Sequence, residues 1–132
     1  MPQRRYTLPR NHRLGGRDAF GRVYEARTRA SRGPLTGYIR LNDLGHPRLG
    51  LSVSRRVGTA ARRNRIKRLL REAYRHLRHD FPAAYDLVLV VRPHEPLPLA
   101  EYQRILAALL VRLHQEWMRV PSAGARKQAD GS

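Results

Sequence analysis

The sequence predicts one small α/β or α+β domain in which helices pack on a sheet of about four strands. Three patterns favour this class. Residues 48–54, "RLGLSVS", alternate as a half-buried strand does, and residues 87–91, "LVLVV", form the continuous apolar run of a strand buried on both faces. Residues 62–78 and 99–119 repeat apolar side chains with the helical period. A chain of 132 residues has room for one such domain with a modest core.

The charge of the chain indicates its class of partner. The formal net charge is +17, yet 41% of the residues are hydrophobic, which is too many for a disordered basic tail. A folded domain with so cationic a surface repels itself, and polyanions relieve that repulsion. Of 27 basic residues only Lys67 and Lys127 are lysines. Arginine suits bidentate phosphate contacts and stacking on RNA bases, although a GC-rich genome would also encode arginine throughout.

Several other classes of protein receive no support. The chain has no cysteine, which excludes a disulfide framework and a thiolate metal site. No run approaches the ~20 apolar residues of a membrane-spanning helix, and the first residues lack the apolar core of a signal peptide. We therefore expect a cytoplasmic protein without a membrane partner.

The N-terminal part is expected to hold an arm and a short helix. Residues 1–13 are basic, contain two prolines and show no period, which predicts a mostly mobile arm ahead of an RNA-binding domain of residues 14–119. In "RDAFGRVYEA" the apolar residues around Phe20 and Tyr24 follow helical spacing, so a first helix is expected despite Gly21.

Strands are expected next. The turn sequence "NDLGHP" separates the short strand 38–41 from the strand 48–54, so these two are expected to pair around it, with room for one more strand in the preceding loop. The apolar run 87–91 supplies the remaining strand. We expect the helices to cover one face of this sheet.

The segment 62–78, "RRNRIKRLLREAYRHLR", separates its charges from its apolar residues when wound as a helix at ~100° per residue. Ile66, Leu69, Leu70, Ala73 and Leu77 share one face, with Tyr74 at its margin. The opposite face carries mostly cations, and Glu72 is the only acidic residue. A merely solvated face would mix signs to gain pairs along the helix, so this face predicts binding of a polyanion, whose phosphates release counterions when they are neutralised.

The final helix is expected over residues 99–119, where Tyr102, Leu106, Leu113 and Trp117 belong to one stripe. Residues 120–132 are small and polar and are expected to form a disordered tail.

Nothing in the sequence forms a catalytic site. His76 and His79 are three residues apart on the basic helix without an obvious third ligand, so zinc is disfavoured and a solvent-facing or phosphate-contacting role is expected. The carboxylates are scattered, without the close pair of a two-metal nuclease. No catalytic residue and no protein metal ligand is therefore assigned.

The motif "RRNRIKRLLREAYR" resembles the signature helix of the bacterial ribonuclease P protein family, with its Arg-Asn-Arg core at residues 63–65. "LGLSVSRRVGTA", "RDAFGRVY" and "YDLVLVVRP" are similar to further family segments, so that the resemblance spans roughly residues 8–118. The chain differs from the family in two respects. It has Arg at several positions where the family is rich in Lys, and it has glycines in and near the first helix.

The resemblance implies a mostly parallel sheet with the basic helix in a left-handed crossover, whereas general rules favour a right-handed one. It also implies a tRNA-processing hydrolase, a ribonucleoprotein endonuclease, in which an RNA subunit catalyses Mg²⁺-dependent removal of the 5′ leader of precursor tRNA. The protein, inactive alone and bound 1:1 as a monomer, would bind both RNAs but not DNA. The residues implied for the RNA subunit, taken with the basic pair before the helix, are Arg55, Arg56, Arg62, Arg63, Asn64, Arg65, Lys67, Arg68, Arg71 and Arg75.

For the leader, the resemblance implies a cleft beside the first helix, with Phe20, Tyr24, Tyr38 and Arg92. Arg40 is added as a second cation that could line this groove. Aromatic faces with a basic groove hold a single strand of any sequence, because stacking tolerates every base. Ordinary core packing is the alternative for the three aromatic residues. For the whole chain the alternatives are a ribosomal or ribosome-assembly protein and an autonomous nuclease or DNA-binding domain.

Overall fold

The computed structural model describes residues 12–81 and 83–119. The arm expected at residues 1–11 and the tail expected at 120–132 lie outside the described residues. Three helices and four strands follow one another along the chain. They are α1 Arg17–Glu25, β1 Thr28–Arg32, β2 Leu35–Leu41, β3 Arg48–Val53, α2 Ala60–Leu77, β4 Tyr85–Val91 and α3 Leu99–Arg119.

The four strands form one mixed sheet in the order β1-β2-β4-β3. β1 and β2 are antiparallel and join through a two-residue turn, in which Gly33 takes the positive φ of 57° that such turns require. β2 is also antiparallel to β4, whereas β3 is parallel to β4. The expected four-stranded α+β class is therefore confirmed.

Two expectations about the sheet are wrong. The strands on either side of "NDLGHP" do not pair, because β4 lies between them and bonds to both. The sheet is also not mostly parallel, since β3 and β4 make its one parallel pair. The continuous apolar run of β4 explains its position, because a strand buried on both faces belongs at the centre of a sheet. Adjacent β3 and β4 are joined through α2, and the left-handed sense of this crossover stays a prediction.

The sheet is covered on both faces rather than on one. α2 and α3 pack on the face that carries Leu87 and Leu89, and most of the core lies there. Gly37 lets α3 approach β2 closely, because a Cβ at this position would lie 2.9 Å from Leu113 Cδ1. α1 packs on the opposite face, where Val23 and Val88 are fully buried.

α2 begins at a cap in which the Thr59 hydroxyl accepts a hydrogen bond from the Arg62 amide at 3.1 Å. Its predicted apolar face is largely confirmed, since Ile66, Leu70 and Ala73 are buried. Tyr74, expected at the margin, is buried and packs edge-on against Phe81.

The first described residues contact the domain. Arg13 forms an isolated parallel bridge with Leu49, and the neighbouring Leu14 amide donates to the Leu49 carbonyl at 2.8 Å. The His12 ring stacks on His46 with 4.4 Å between centroids. This part of the predicted arm therefore lies against the edge strand β3. None of the described helices is long and apolar enough to cross a membrane.

Candidate nucleic-acid interface

The outer side of α2 presents a row of cations. Asn64 and Arg68 are exposed, while Lys67, Arg71 and Arg75 are half-buried along their stems. At ~100° per residue these five side chains lie on the side of the helix away from Ile66 and Leu70. Arg65 points to the other flank, towards α3, where its charge acts on Tyr102. The predicted array therefore continues around the helix instead of forming one flat surface.

Most of the cations on α2 have no carboxylate partner within the described chain. Arg62 contacts Glu95 at 3.3 Å, and Arg75 and His76 contact the buried Glu72 at 3.6 and 3.2 Å. By contrast, each arginine of α3 has an acidic neighbour on its own helix; these pairs are Arg104–Glu101, Arg112–Glu116 and Arg119–Glu116. The positive potential is therefore concentrated on α2, which the sequence pattern predicted.

Arg71 shows the desolvation and charge repulsion that accompany this concentration of cations. Partial burial lowers the pKa of its guanidinium, and the nearby charge of Arg13 lowers that pKa further. Both effects disfavour the charged form of Arg71. Arg13 and Arg71 also line one groove, so Arg13 belongs to the same cationic surface although the sequence placed it in the arm.

The loop between β3 and α2 extends the cationic surface at the start of the helix. Arg55 and Arg56 are exposed and lie in a single 3₁₀ turn, which Ser54 caps by accepting a hydrogen bond from the Arg56 amide. Arg63 then folds back to donate from Nε to the Gly58 carbonyl at 3.3 Å. The predicted basic pair thus lies next to the first turn of α2.

Three aromatic side chains line the opposite side of the sheet beneath α1. The Phe20 ring lies directly over Gly50 of β3, where a Cβ would come within 2.7 Å of the ring. Phe20 and Tyr24 meet edge-on at 6.4 Å, and Tyr24 and Tyr38 do so at 4.8 Å. All three residues are partly exposed, and the structure therefore places the predicted aromatic residues together in one cleft.

Polar groups complete this cleft. The Tyr24 hydroxyl bonds to Ser52, and burial raises the pKa of this phenol above its ordinary value although that bond opposes the shift. Tyr24 therefore stays a neutral hydrogen-bonding group at physiological pH. Arg92 donates to the Thr36 hydroxyl at 3.4 Å and to the Gly33 carbonyl, at the end of the cleft that α1 leaves open.

A groove of about 430 Å³ joins the two surfaces. It runs between the start of α1 and the exposed flank of α2. Its lining includes Arg13, Phe20, Leu51, Lys67 and Arg71, so an aromatic ring and three cations share one depression. We call this depression the junction groove. Sequence reasoning missed it, because only the placement of α2 beside the edge strand β3 brings Lys67 close to Phe20.

Arg40 lies on the same sheet face as Tyr38, two residues further along β2. Its register partner in β4 is Asp86, a carboxylate that is only 1% exposed. Asp86 is already bound by Arg48 at 2.9 and 2.7 Å and by the Asn42 amide at 2.7 Å. This buried group is structural and does not neutralise Arg40.

The described residues do not form a metal site. No three histidine or carboxylate side chains come together in the described part of the chain. Mg²⁺ prefers oxygen ligands in octahedral geometry, commonly carboxylates, waters and substrate phosphates. The buried carboxylate nearest the cleft, Asp86, uses its oxygens for Arg48 and Asn42. The donor set therefore does not fit Mg²⁺ held by the protein alone.

Comparisons of the sequence with known proteins identify a family. The family model described as Ribonuclease P matches residues 8–114. The ribonuclease P protein component of Desulfovibrio desulfuricans is 37% identical over 124 residues, which are 92% of this chain and 95% of that protein.

Two solved structures share the fold. The ribonuclease P protein of Thermotoga maritima superposes with a TM-score of 0.69 at 28% identity, over 76% of this chain and 96% of that one. The protein of Staphylococcus aureus superposes with a TM-score of 0.67 at 28% identity, over 76% and 93% of the two chains. From the match along most of its length and the shared fold, this chain belongs to the bacterial ribonuclease P protein family.

Proposed function

We propose that this chain binds the RNA subunit of ribonuclease P through α2 and the 5′ leader of precursor tRNA through the cleft beneath α1. It would thereby assist endonucleolytic removal of the leader by the RNA. A 1:1 complex of one protein monomer with the RNA, in the cytoplasm, is part of the proposal.

The junction groove carries this proposal. It joins the unpaired cations of α2 to the ring of Phe20 without an intervening acidic side chain in its lining. One RNA bound to α2 and a second strand bound in the cleft would therefore meet at Lys67 and Arg71. A protein that merely bound one structured RNA would have no need of two surfaces joined in this way.

The cleft suits a strand without fixed sequence. Phe20, Tyr24 and Tyr38 offer partly exposed rings, on which each stacked base is worth about 1–3 kcal/mol whatever its identity. Arg92 and Arg40 lie on the same face of the sheet and supply charge for the backbone. Leaders differ in sequence between precursors, and this chemistry accepts them all.

Catalysis is assigned to the RNA. The described residues bring together no group of three histidine or carboxylate side chains that could hold a metal ion. The protein's contribution is then to position the leader and to neutralise phosphates near the cleavage site. The Mg²⁺ ions would be held by RNA phosphates, and no step is routed through a protein ligand.

The test is cleavage of a 5′-extended precursor tRNA at low Mg²⁺ by a bacterial ribonuclease P RNA, with and without this chain. We expect strong stimulation at the mature 5′ end and no cleavage by the protein alone. Cleavage without the RNA would reveal an active site in the protein and refute the division of labour. If the chain gave no stimulation but bound ribosomal RNA tightly, the result would instead indicate a ribosomal or ribosome-assembly protein.

A further inference from the structure

The aromatic cleft continues beyond Tyr38 to the edge of the sheet. Arg29 of β1 lies directly opposite Tyr38 in the antiparallel pair, and its Nη1 donates to the Tyr38 hydroxyl at 3.4 Å. This contact places the guanidinium on the α1 face of the sheet. Arg29 is exposed, so it is available to a ligand that already stacks on Tyr38.

Arg29 and Arg40 have no acidic partner within the described chain. The carboxylate next to Arg40 in the register is Asp86, whose oxygens are taken by Arg48 and Asn42. Arg29 lies opposite Tyr38 and Arg40 lies two residues further along β2, so two unpaired cations share this corner of the sheet. An anion over this corner of the sheet would neutralise them.

The side chains cross the sheet in a fixed order. Phe20 lies over Gly50 of β3, Tyr24 follows, Tyr38 stands on β2, and Arg29 stands on β1 at the far edge. Neighbouring strands are ~4.8 Å apart, so the line from β3 to β1 spans about 14 Å. A single strand that stacks on the rings therefore needs several nucleotides to reach from Phe20 to Arg29.

From this order we infer a path for the leader and a new binding site at its end. The leader enters at the junction groove, runs across the strands over the three rings, and leaves over the β1 edge with a phosphate on Arg29 and Arg40. This inference rests on the proposed function. It adds Arg29 as a residue that contacts only those leaders that are long enough to reach the β1 edge. Nucleotides close to the cleavage site would not reach it.

The test compares Arg29→Gln with Arg32→Gln. Arg32 lies on the same strand, is equally exposed and carries the same charge, but the alternation of β1 turns it to the opposite face. Binding of precursor tRNAs with leaders of increasing length is measured with the holoenzyme, at several salt concentrations. Affinity of each variant for the RNA subunit alone is measured in parallel.

We expect Arg29→Gln to bind long-leader precursors about threefold more weakly, as loss of one exposed ion pair allows. The salt dependence for these precursors should flatten by about 0.7, the value for one contact with single-stranded nucleic acid. Precursors with the shortest leaders should bind both variants as they bind the wild type, and Arg32→Gln should behave as wild type throughout.

Other outcomes would overturn the inference. Equal losses at every leader length, or weaker binding of the RNA subunit, would assign Arg29 to a different RNA contact. No loss at any length would leave Arg29 a solvated cation. If the wild-type protein itself gave no gain with any leader, the proposed function would fail as well, and this result differs from failure of the β1 site alone.

Discussion

Gly50→Ala should close the leader cleft while sparing the surface of α2. A Cβ at this position would lie 2.7 Å from two ring atoms of Phe20 and 3.2 Å from the Leu14 carbonyl oxygen. The ring must therefore move by about 0.7 Å to reach the 3.4 Å at which ordinary contact begins. The Leu14 carbonyl belongs to the backbone and cannot give way easily, so the Phe20 ring is the group that must move, and its displacement changes the cleft.

The magnitudes follow from this overlap. Overpacking of this kind costs about 1–3 kcal/mol of folding free energy, which a domain with a typical 5–15 kcal/mol survives. Loss of one stacking surface for a base should weaken precursor binding about tenfold, near the lower end of the energy of base–aromatic stacking. Binding of the RNA subunit, which we propose takes place on α2, should not change.

Two other glycines supply the controls. Gly37→Ala would place a Cβ 2.9 Å from Leu113 on the opposite face of the sheet, so it should cost similar stability without loss of leader binding. Gly21→Ala, within α1, meets nothing within 4 Å and should stabilise the helix by about 0.5–1 kcal/mol. The assays are thermal unfolding and affinity for precursor and mature tRNA. If Gly50→Ala binds both tRNAs as the wild type does, or if Gly37→Ala loses the same affinity, the reasoning about the cleft is wrong.

Three further substitutions test the two surfaces and the fold. Arg68→Ala or Arg65→Ala should weaken binding of the RNA subunit and flatten its salt dependence by about one unit per lost phosphate contact, and an unchanged slope in a salt titration would remove that residue from the interface. Phe20→Ala should weaken binding of precursor tRNA more than binding of mature tRNA, whereas equal losses would return the ring to core packing. Asp86→Ala leaves Arg48 without its partner and should lower the unfolding free energy by about 3 kcal/mol in chemical denaturation, the low end for a broken buried pair because Arg48 still reaches water; a loss below about 1 kcal/mol would contradict a structural role.

The local elements could be predicted because their signals are local. The helical period of residues 62–78 and 99–119 predicted α2 and α3, and the apolar run 87–91 predicted a strand buried on both faces. The pairing could not be predicted in the same way. β4 separates β2 from β3 although more than 30 residues of chain lie between β3 and β4, and no signal in "NDLGHP" reports that insertion.

The residues of the candidate site show the same difference between local and long-range signals. The cations of α2 were predictable, since one helix carries them. The cleft depends on strand alternation together with the position of α1, so the residues alone left core packing open for its aromatic side chains. The family resemblance implied Phe20, Tyr24 and Tyr38, whereas nothing in the sequence pointed to Gly50, Ser52 or Arg29. Gly50 is informative only once Phe20 is known to lie on it, and Arg29 only once its register with Tyr38 is known.

The placement of α2 at the β3 edge is what would allow one small domain to hold the two RNA strands of the proposed function. A helix packed over the middle of the sheet would keep its cations on the face opposite α1, and the two surfaces would face away from each other. At the edge, its flank turns towards α1, and Lys67 and Arg71 line the same groove as Phe20. The sheet then sets the distance between α2, where we propose that one RNA binds, and the three rings, where we propose that the other binds. Substitutions that soften this packing should therefore impair leader positioning even where every contacting side chain is intact.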